Sequence, residues 1–198
     1  MPIERNALDT LRILVADDEA IIRLGLRGML AHIGHEVVLA ADGREALHIA
    51  RTMRPDLALL DIRMPQVDGL DVVRALNQDR TMPIILLTAY SEYDLVAEAA
   101  ELGVQNYLIK PVDERDLVAA IPIAVARFRE GRAAQDRIAA LQETLETRKL
   151  IDRAKGVLMQ AGVTEDQAYH TLQRRARDER LSMRQIAEDV LQRASRLK

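Results

Sequence analysis

Five residues, Asp17, Asp18, Asp61, Thr88 and Lys110, carry groups able to accept and hold a phosphoryl group, and each follows or ends an apolar run. The runs cover residues 13–16, 57–60, 84–87 and 107–109. A carboxylate such as Asp61 takes a phosphoryl group only where its own charge and that of the donor are offset. Mg2+ provides the offset when one or two carboxylates hold it together with phosphoryl oxygens and waters. Asp17 and Asp18 would supply those carboxylates, Lys110 a fixed positive charge on one phosphoryl oxygen, and Thr88 a hydroxyl donor to another. Three carboxylates close together repel unless a cation intervenes, so their crowding predicts the metal. A single Asp after a strand is ordinarily a loop residue or a helix cap. The weight lies in all five recurring, in order, at successive strand ends.

Such residues converge only if the strands that present them are parallel, because the carboxyl ends of parallel strands share one crevice. Apolar runs near Ile13, Val37, Leu57, Ile84 and Tyr107 read as strands, and amphipathic patterns predict helices over 20–33, 44–53, 70–77, 92–102 and from Glu114 onward. Five alternations of strand and helix predict an α/β fold with a five-stranded, doubly wound parallel sheet. Beyond Asp116 the character changes. Leu117, Ile121, Val125 and Phe128 form a helical stripe in which Pro122 predicts a kink or a nearby helix end. After a weak stretch through Gly131, Ile138, Leu141 and Leu145 resume a spacing of three and four, the pattern of a short coiled-coil seam able to pair with a second copy.

The last segment reads as three helices, over 147–160, 164–177 and 182–193, the last two opened by capping patterns (Thr164 with Gln167, Ser182 with Gln185). Ile151, Ala154, Leu158, Ala168, Leu172, Ile186, Val190 and Leu191 supply one small core. About fifty residues without a cysteine make a marginal domain, which is expected to lean on the linker or a partner. The expected organisation is therefore residues 1–129, a helical linker at 130–146, and a three-helix domain at 147–198.

Charge is distributed unevenly: residues 1–120 carry a net −8, residues 121–146 are neutral, and residues 147–198 carry +5, within a total of −3. An acidic front and a basic rear point to a polyanion partner for the rear. Cysteine is absent, which excludes disulfides and thiolate metal sites. The four histidines, His32, His35, His48 and His170, are scattered through helical patterns and are not expected to be ligands. No apolar run approaches the roughly 20 residues of a membrane span, and the start lacks the form of a signal peptide, so a cytoplasmic protein with no membrane contact is expected.

The words "ILVADDE", "LALLDIRMPQVDGL", "PIILLTAY" and "YLIKPV" resemble the receiver domain of two-component response regulators, over residues 11–129. The resemblance implies a flavodoxin-like fold in which Asp61 is the phosphoacceptor, charged by a sensor histidine kinase. It further implies that Asp18 binds Mg2+ directly, Asp17 acts mainly through a metal-bound water, and the main-chain carbonyl of Arg63 completes the protein ligands. Lys110 would precede a cis peptide to Pro111, and Thr88 with Tyr107 would form a switch pair, the ring turning inward on phosphorylation. Phosphatases of the haloacid dehalogenase type need a second Asp two residues past the nucleophile; Arg63 stands there. No enzyme activity is expected beyond Mg2+-dependent self-phosphorylation and self-dephosphorylation, the latter slowed by the bulk of Arg63 and Tyr90.

The segment beginning "LETRKLIDRAKGVLMQAGVTEDQAYHTLQRRARDERLSMRQIAEDVL" resembles an ANTAR domain, an RNA-binding antiterminator module. That implies binding to paired RNA hairpins with small loops in leader transcripts. Lys149, Arg153, Lys155, Arg174, Arg175 and Arg177 are the candidate contacts to phosphates or splayed bases, and Gly156 would let a backbone approach closely. Together the two resemblances imply a response regulator that acts as a transcriptional antiterminator under control of phosphorylation, and the coiled-coil seam adds the expectation of a homodimer on phosphorylation. Two other classes stay open: a DNA-binding response regulator, and a protein-docking relay without nucleic-acid binding. In the helix over 182–193, Arg184 and Arg193 are offset by Glu188 and Asp189, which weighs against DNA.

Overall fold

Strict alternation along each apolar run dictates two cores, one on each face of a sheet. The computed structural model describes residues 10–77, 82–89, 98 and 101–196. Its strands are β1 (Arg12–Ala16), β2 (Glu36–Ala40), β3 (Leu57–Asp61), β4 (Ile84–Thr88) and β5 (Asn106–Ile109), all parallel, in the order β2-β1-β3-β4-β5. Leu14, Ala58, Leu60, Ile84 and Leu86 turn to one face, where helices α2 (Gly43–Met53) and α3 (Gly69–Asn77) cover them with Ala46, Ile49, Val73 and Leu76. Ile13, Val15, Leu57, Leu59, Ile85 and Leu87 turn to the other, under Leu26 and Leu30 of α1 (Ala20–His32) and Leu117, Ile121 and Ala124 of α4 (Glu114–Met159). β1, β3 and β4 are thus buried on both faces, which is why they read as continuous apolar runs. The helix expected over 92–102 lies mostly outside the described residues, as does Tyr90.

The rear of the chain departs from expectation in one respect. Neither Pro122 nor the weak stretch at Gly131 ends a helix: α4 runs unbroken for 46 residues, so the expected linker and the first of the three rear helices belong to the same element as the helix leaving the sheet. Proline removes one N–H from a helix. The carbonyl left without that donor belongs to Val118, an exposed residue, so water can satisfy it. The cost then falls short of what would break a helix that Leu117, Ala120, Ile121 and Ala124 already anchor.

Contacts divide the chain into two units, Met1–Arg132 and Ala133–Lys198. The second is built from the rear of α4, α5 (Glu165–Glu179) and α6 (Met183–Arg196) around Ala154, Leu172, Ile186, Ala187 and Val190. Both capping patterns form as read: the Thr164 hydroxyl accepts from the Gln167 N–H at 3.3 Å while Gln167 accepts from the Thr164 N–H at 2.9 Å, and Ser182 and Gln185 exchange the same pair of bonds at 3.2 and 2.9 Å. Ile138, Leu141 and Leu145 are 55, 65 and 58% exposed, so within a single chain the seam is left largely uncovered. No helix among the described residues is long and apolar enough to cross a membrane.

Candidate functional site

The parallel register brings the carboxyl ends of β1, β3, β4 and β5 together, and each delivers one expected residue: Asp17 just past β1, Asp61 closing β3, Thr88 closing β4, Lys110 just past β5. Asp17 is fully buried, Asp61 5% and Thr88 1% exposed, whereas Asp18 faces solvent. Carboxylate oxygens of Asp17, Asp18 and Asp61 lie within 4.8 Å of one another. Lys110 Nζ stands between two of them, 2.7 Å from Asp17 Oδ2 and 2.8 Å from Asp61 Oδ1. The peptide from Lys110 to Pro111 is cis.

The electrostatics leave the cluster short of positive charge. Burial, with help from the neighbouring charges of Asp17 and Asp18, raises the Asp61 carboxyl to about 6 against the hydrogen bond and charge of Lys110, which pull it down. Burial works to lower the pKa of Lys110, but its hydrogen bonds to Asp17 and Asp61 outweigh that, and its proton is held more firmly than usual. One ammonium cannot neutralise three carboxylates. A hard divalent cation with all-oxygen ligands fits the remainder, and Mg2+, which keeps several waters and one or two carboxylates, suits a site with one solvent-facing member.

Residues that the sequence reading passed over hold this arrangement. Asp17 Oδ1 accepts the Glu19 N–H at 2.8 Å, and Arg23 Nη1 donates to the Asp17 carbonyl at 2.6 Å, locking the turn from β1 into α1. Gly69 opens α3 against the backbone of β3: its N–H donates to the Ile62 carbonyl at 2.9 Å, and a Cβ there would overlap the Asp61 carbonyl oxygen. Gly43 meets the loop after Asp61 in the same way at Val67. Nothing in the local pattern distinguishes these glycines from ordinary turn residues; only the close approach does. Arg63 lines an open recess with Asp18, Met64 and Asp68 on the solvent side of the cluster. The Thr88 hydroxyl donates to the Ala89 carbonyl at 3.1 Å, and the Tyr107 ring is 44% exposed.

The histidines stand apart from the acidic cluster: His32 Nδ1 lies 2.8 Å from Glu114, and His35 Nδ1 accepts the Leu11 N–H at 3.3 Å, with burial lowering its pKa. In the rear unit the candidate cations divide into two groups. Lys155 Nζ is held between Asp152 at 2.8 Å and Glu165 at 2.7 Å, and Arg175 bridges Glu179 at 2.8 Å and Asp189 at 2.7 Å, so both spend their charge on joining helices. Lys149, Arg153, Arg174 and Arg177 are exposed, as is Gly156, whose surface has open space above it. In α6, Arg184 pairs with Glu188 at 3.0 Å and Arg193 with Asp189 at 2.9 Å.

Comparison with known proteins follows the same division. The response regulator receiver domain pattern matches residues 13–122, and the ANTAR domain pattern matches residues 139–191. The transcriptional regulatory protein PdtaR of Mycobacterium tuberculosis is 46% identical over 183 residues, covering 91% of this chain and 89% of that one. The probable transcriptional regulator ycf27 of Porphyridium aerugineum is 42% identical over 116 residues, 59% of this chain and 48% of its own. Among solved structures, the chemotaxis protein CheY4 of Vibrio cholerae shares 30% identity with a TM-score of 0.55, covering 59% of this chain and 99% of that one. A response regulator receiver domain from Clostridium thermocellum shares 33% with a TM-score of 0.56, covering 60% and 96%.

Proposed function

The chain belongs to the response regulator family, with a receiver domain joined to an ANTAR domain, and from that premise we propose that it is a phosphorylation-controlled RNA-binding antiterminator. The observation that carries the receiver half is the position of Lys110 Nζ, 2.8 Å from Asp61 at the rim of a buried acidic cluster. An Asp61 oxygen attacks the phosphorus of a phosphohistidine on a sensor kinase, the P–N bond breaks with its electron pair going to nitrogen, and the leaving imidazole takes a proton from solvent. Lys110 already touches the accepting carboxylate and meets the charge that develops on a phosphoryl oxygen, while Thr88 donates its hydroxyl to another. Mg2+, held by Asp18, Asp61 and the Arg63 carbonyl, with Asp17 through water, would supply the remaining positive charge. No general acid follows Asp61, since Arg63 occupies that position, so the group is held rather than turned over. The 44% exposure of Tyr107 suits the resting arrangement of the switch pair, the ring turning inward when Thr88 is drawn to the phosphoryl group.

For the output half, the reading rests on the ANTAR match over residues 139–191 and on the exposed cations Lys149, Arg153, Arg174 and Arg177. Phosphorylation would favour pairing of two chains through Ile138, Leu141 and Leu145 and so present two basic modules to two hairpins, gaining through effective concentration. Intrahelical ion pairs take up Arg184 and Arg193 of α6, which disfavours that helix as a DNA reader. The test is binding of a leader RNA with two small-loop hairpins, against matched duplex DNA, with and without acetyl phosphate and Mg2+. RNA-selective binding that strengthens on phosphorylation and not in Asp61→Asn is expected; no binding to either nucleic acid would make the tail a protein-docking surface.

A further inference from the structure

The receiver unit carries a second charged site at the opposite edge of its sheet. Leu11, Asp56 and Pro83 directly precede β1, β3 and β4, and they line a cavity of about 680 Å3. Strand β3 separates it from Asp61 by five residues, roughly 15 Å of extended chain. Two walls converge on it. One is the end of α2, with Arg51 and Arg54; the other is α4, with Phe128, Arg129 and Arg132. The floor is apolar, with Leu76 and Met82 buried.

Among the described residues four arginines therefore line one recess, on a unit whose first 120 residues carry a net −8. Among the described residues no ion pair or hydrogen bond engages the side chains of Arg51, Arg54, Arg129 or Arg132. Elsewhere on the unit several arginines are tied down, Arg12 to Glu36, Arg74 to Asp71 and Glu98, Arg23 to the Asp17 carbonyl and Arg127 to the Gln105 carbonyl, while Arg27, Arg44 and Arg115 are as unengaged as the cavity arginines but line no cavity with them. Among the described residues the one carboxylate on the lining, Asp56, accepts the Arg12 N–H at 2.8 Å. Arg54 itself caps α2 at φ +47, a conformation that glycine enters more readily, and in doing so brings its side chain to the cavity.

We propose that this cavity binds a nucleoside phosphate, the phosphates held between the guanidiniums of the two walls and the base laid on the apolar floor beside Phe128. Guanidiniums recognise phosphate oxygens in pairs and stack on planar rings, so arginine suits both ends of such a ligand. A volume of about 680 Å3 lies within the range of small-molecule sites, and Phe128, the only phenylalanine of the chain, offers the ring. The inference is independent of the phosphorylation reading, since none of its residues touches the acidic cluster.

The test is calorimetric titration of the full chain with ATP in Mg2+-free buffer, beside inorganic triphosphate, and in four variants. Saturable one-to-one binding of ATP is expected, unchanged in Asp61→Asn and weakened at least about tenfold in Arg54→Ala/Arg129→Ala, which removes one charged hydrogen-bonding group from each wall. Both arginines are exposed, so that variant should melt like the parent. Phe128→Leu, which keeps apolar bulk and loses the ring, should weaken ATP and leave triphosphate unaffected. Absence of saturable binding would overturn the proposal, as would binding indifferent to the arginine pair, binding abolished instead by Lys149→Ala/Arg153→Ala, or triphosphate binding as tight as ATP.

Discussion

Replacing Asp61 by Asn should stabilise the receiver unit, and the amount follows from the site. Asp61 is 5% exposed, beside Asp17 and Asp18, and its carboxyl is raised from 3.8 to about 6. Between those two values the folded chain binds more protons than the unfolded chain, so stability falls as pH rises through the window, and the loss is complete above about pH 6. The displacement corresponds to about 3 kcal/mol. By pH 5 about half of it is recovered as the folded state takes up its proton. Asn removes the penalty and also weakens the partner of Lys110, so a net gain of about 1 to 3 kcal/mol is expected at pH 8 without Mg2+. Urea unfolding followed through amide hydrogen exchange in β1, β3 and β4 reads this unit alone. The gap between parent and variant should narrow at pH 5. Mg2+ at a hundred times its dissociation constant should restore about 2.7 kcal/mol to the parent, and less to the variant, which lacks one ligand. A variant no more stable than the parent at pH 8, or a gap that does not shrink at pH 5, would refute the account of the site as a buried excess of negative charge.

Lys110→Ala should cut the rate of phosphorylation by acetyl phosphate by about 100-fold or more, because one preorganised charge leaves the developing phosphoryl oxygen; a rate within a few-fold of the parent would remove Lys110 from the mechanism. Gly69→Ala should cost about 3 kcal/mol in the unfolding of the receiver unit, since the new methyl group overlaps the Asp61 carbonyl and backbone must shift, and its phosphorylation should slow. Leu141→Asp, at a 65% exposed position, should leave each chain folded and lower the dimer fraction of phosphorylated protein in sedimentation. Lys149→Ala should weaken RNA binding with little change in stability, whereas Lys155→Ala should lower the melting temperature of the rear unit as well, because it unties Asp152 from Glu165.

What the sequence alone determined is whatever is written in local pattern. Alternation along β1, β3 and β4 set which side chains meet each core, residue pairs at a spacing of three set the starts of α5 and α6, and the ends of the apolar runs placed Asp17, Asp61, Thr88 and Lys110 on one edge. Tertiary structure decided matters that depend on partners far along the chain. Lys110 reaches Asp17 across 93 positions and touches Asp61 as well, and burial, opposed by the contact of Lys110 with Asp61, sets how tightly Asp61 holds its proton. Lys155 and Arg175 look like free cations in the sequence because Glu165 and Asp189, 10 and 14 residues away, become their partners only once three helices pack. Pro122 reads as a kink or a helix end and Gly131 as a weak stretch, yet α4 continues through both, and at Pro122 the packing of Leu117, Ile121 and Ala124 on the sheet outweighs one missing hydrogen bond. The four arginines over the amino ends of the strands lie in two separate stretches of sequence with nothing local to connect them. Only the return of α4 along the sheet brings Arg129 and Arg132 to the same recess as Arg51 and Arg54.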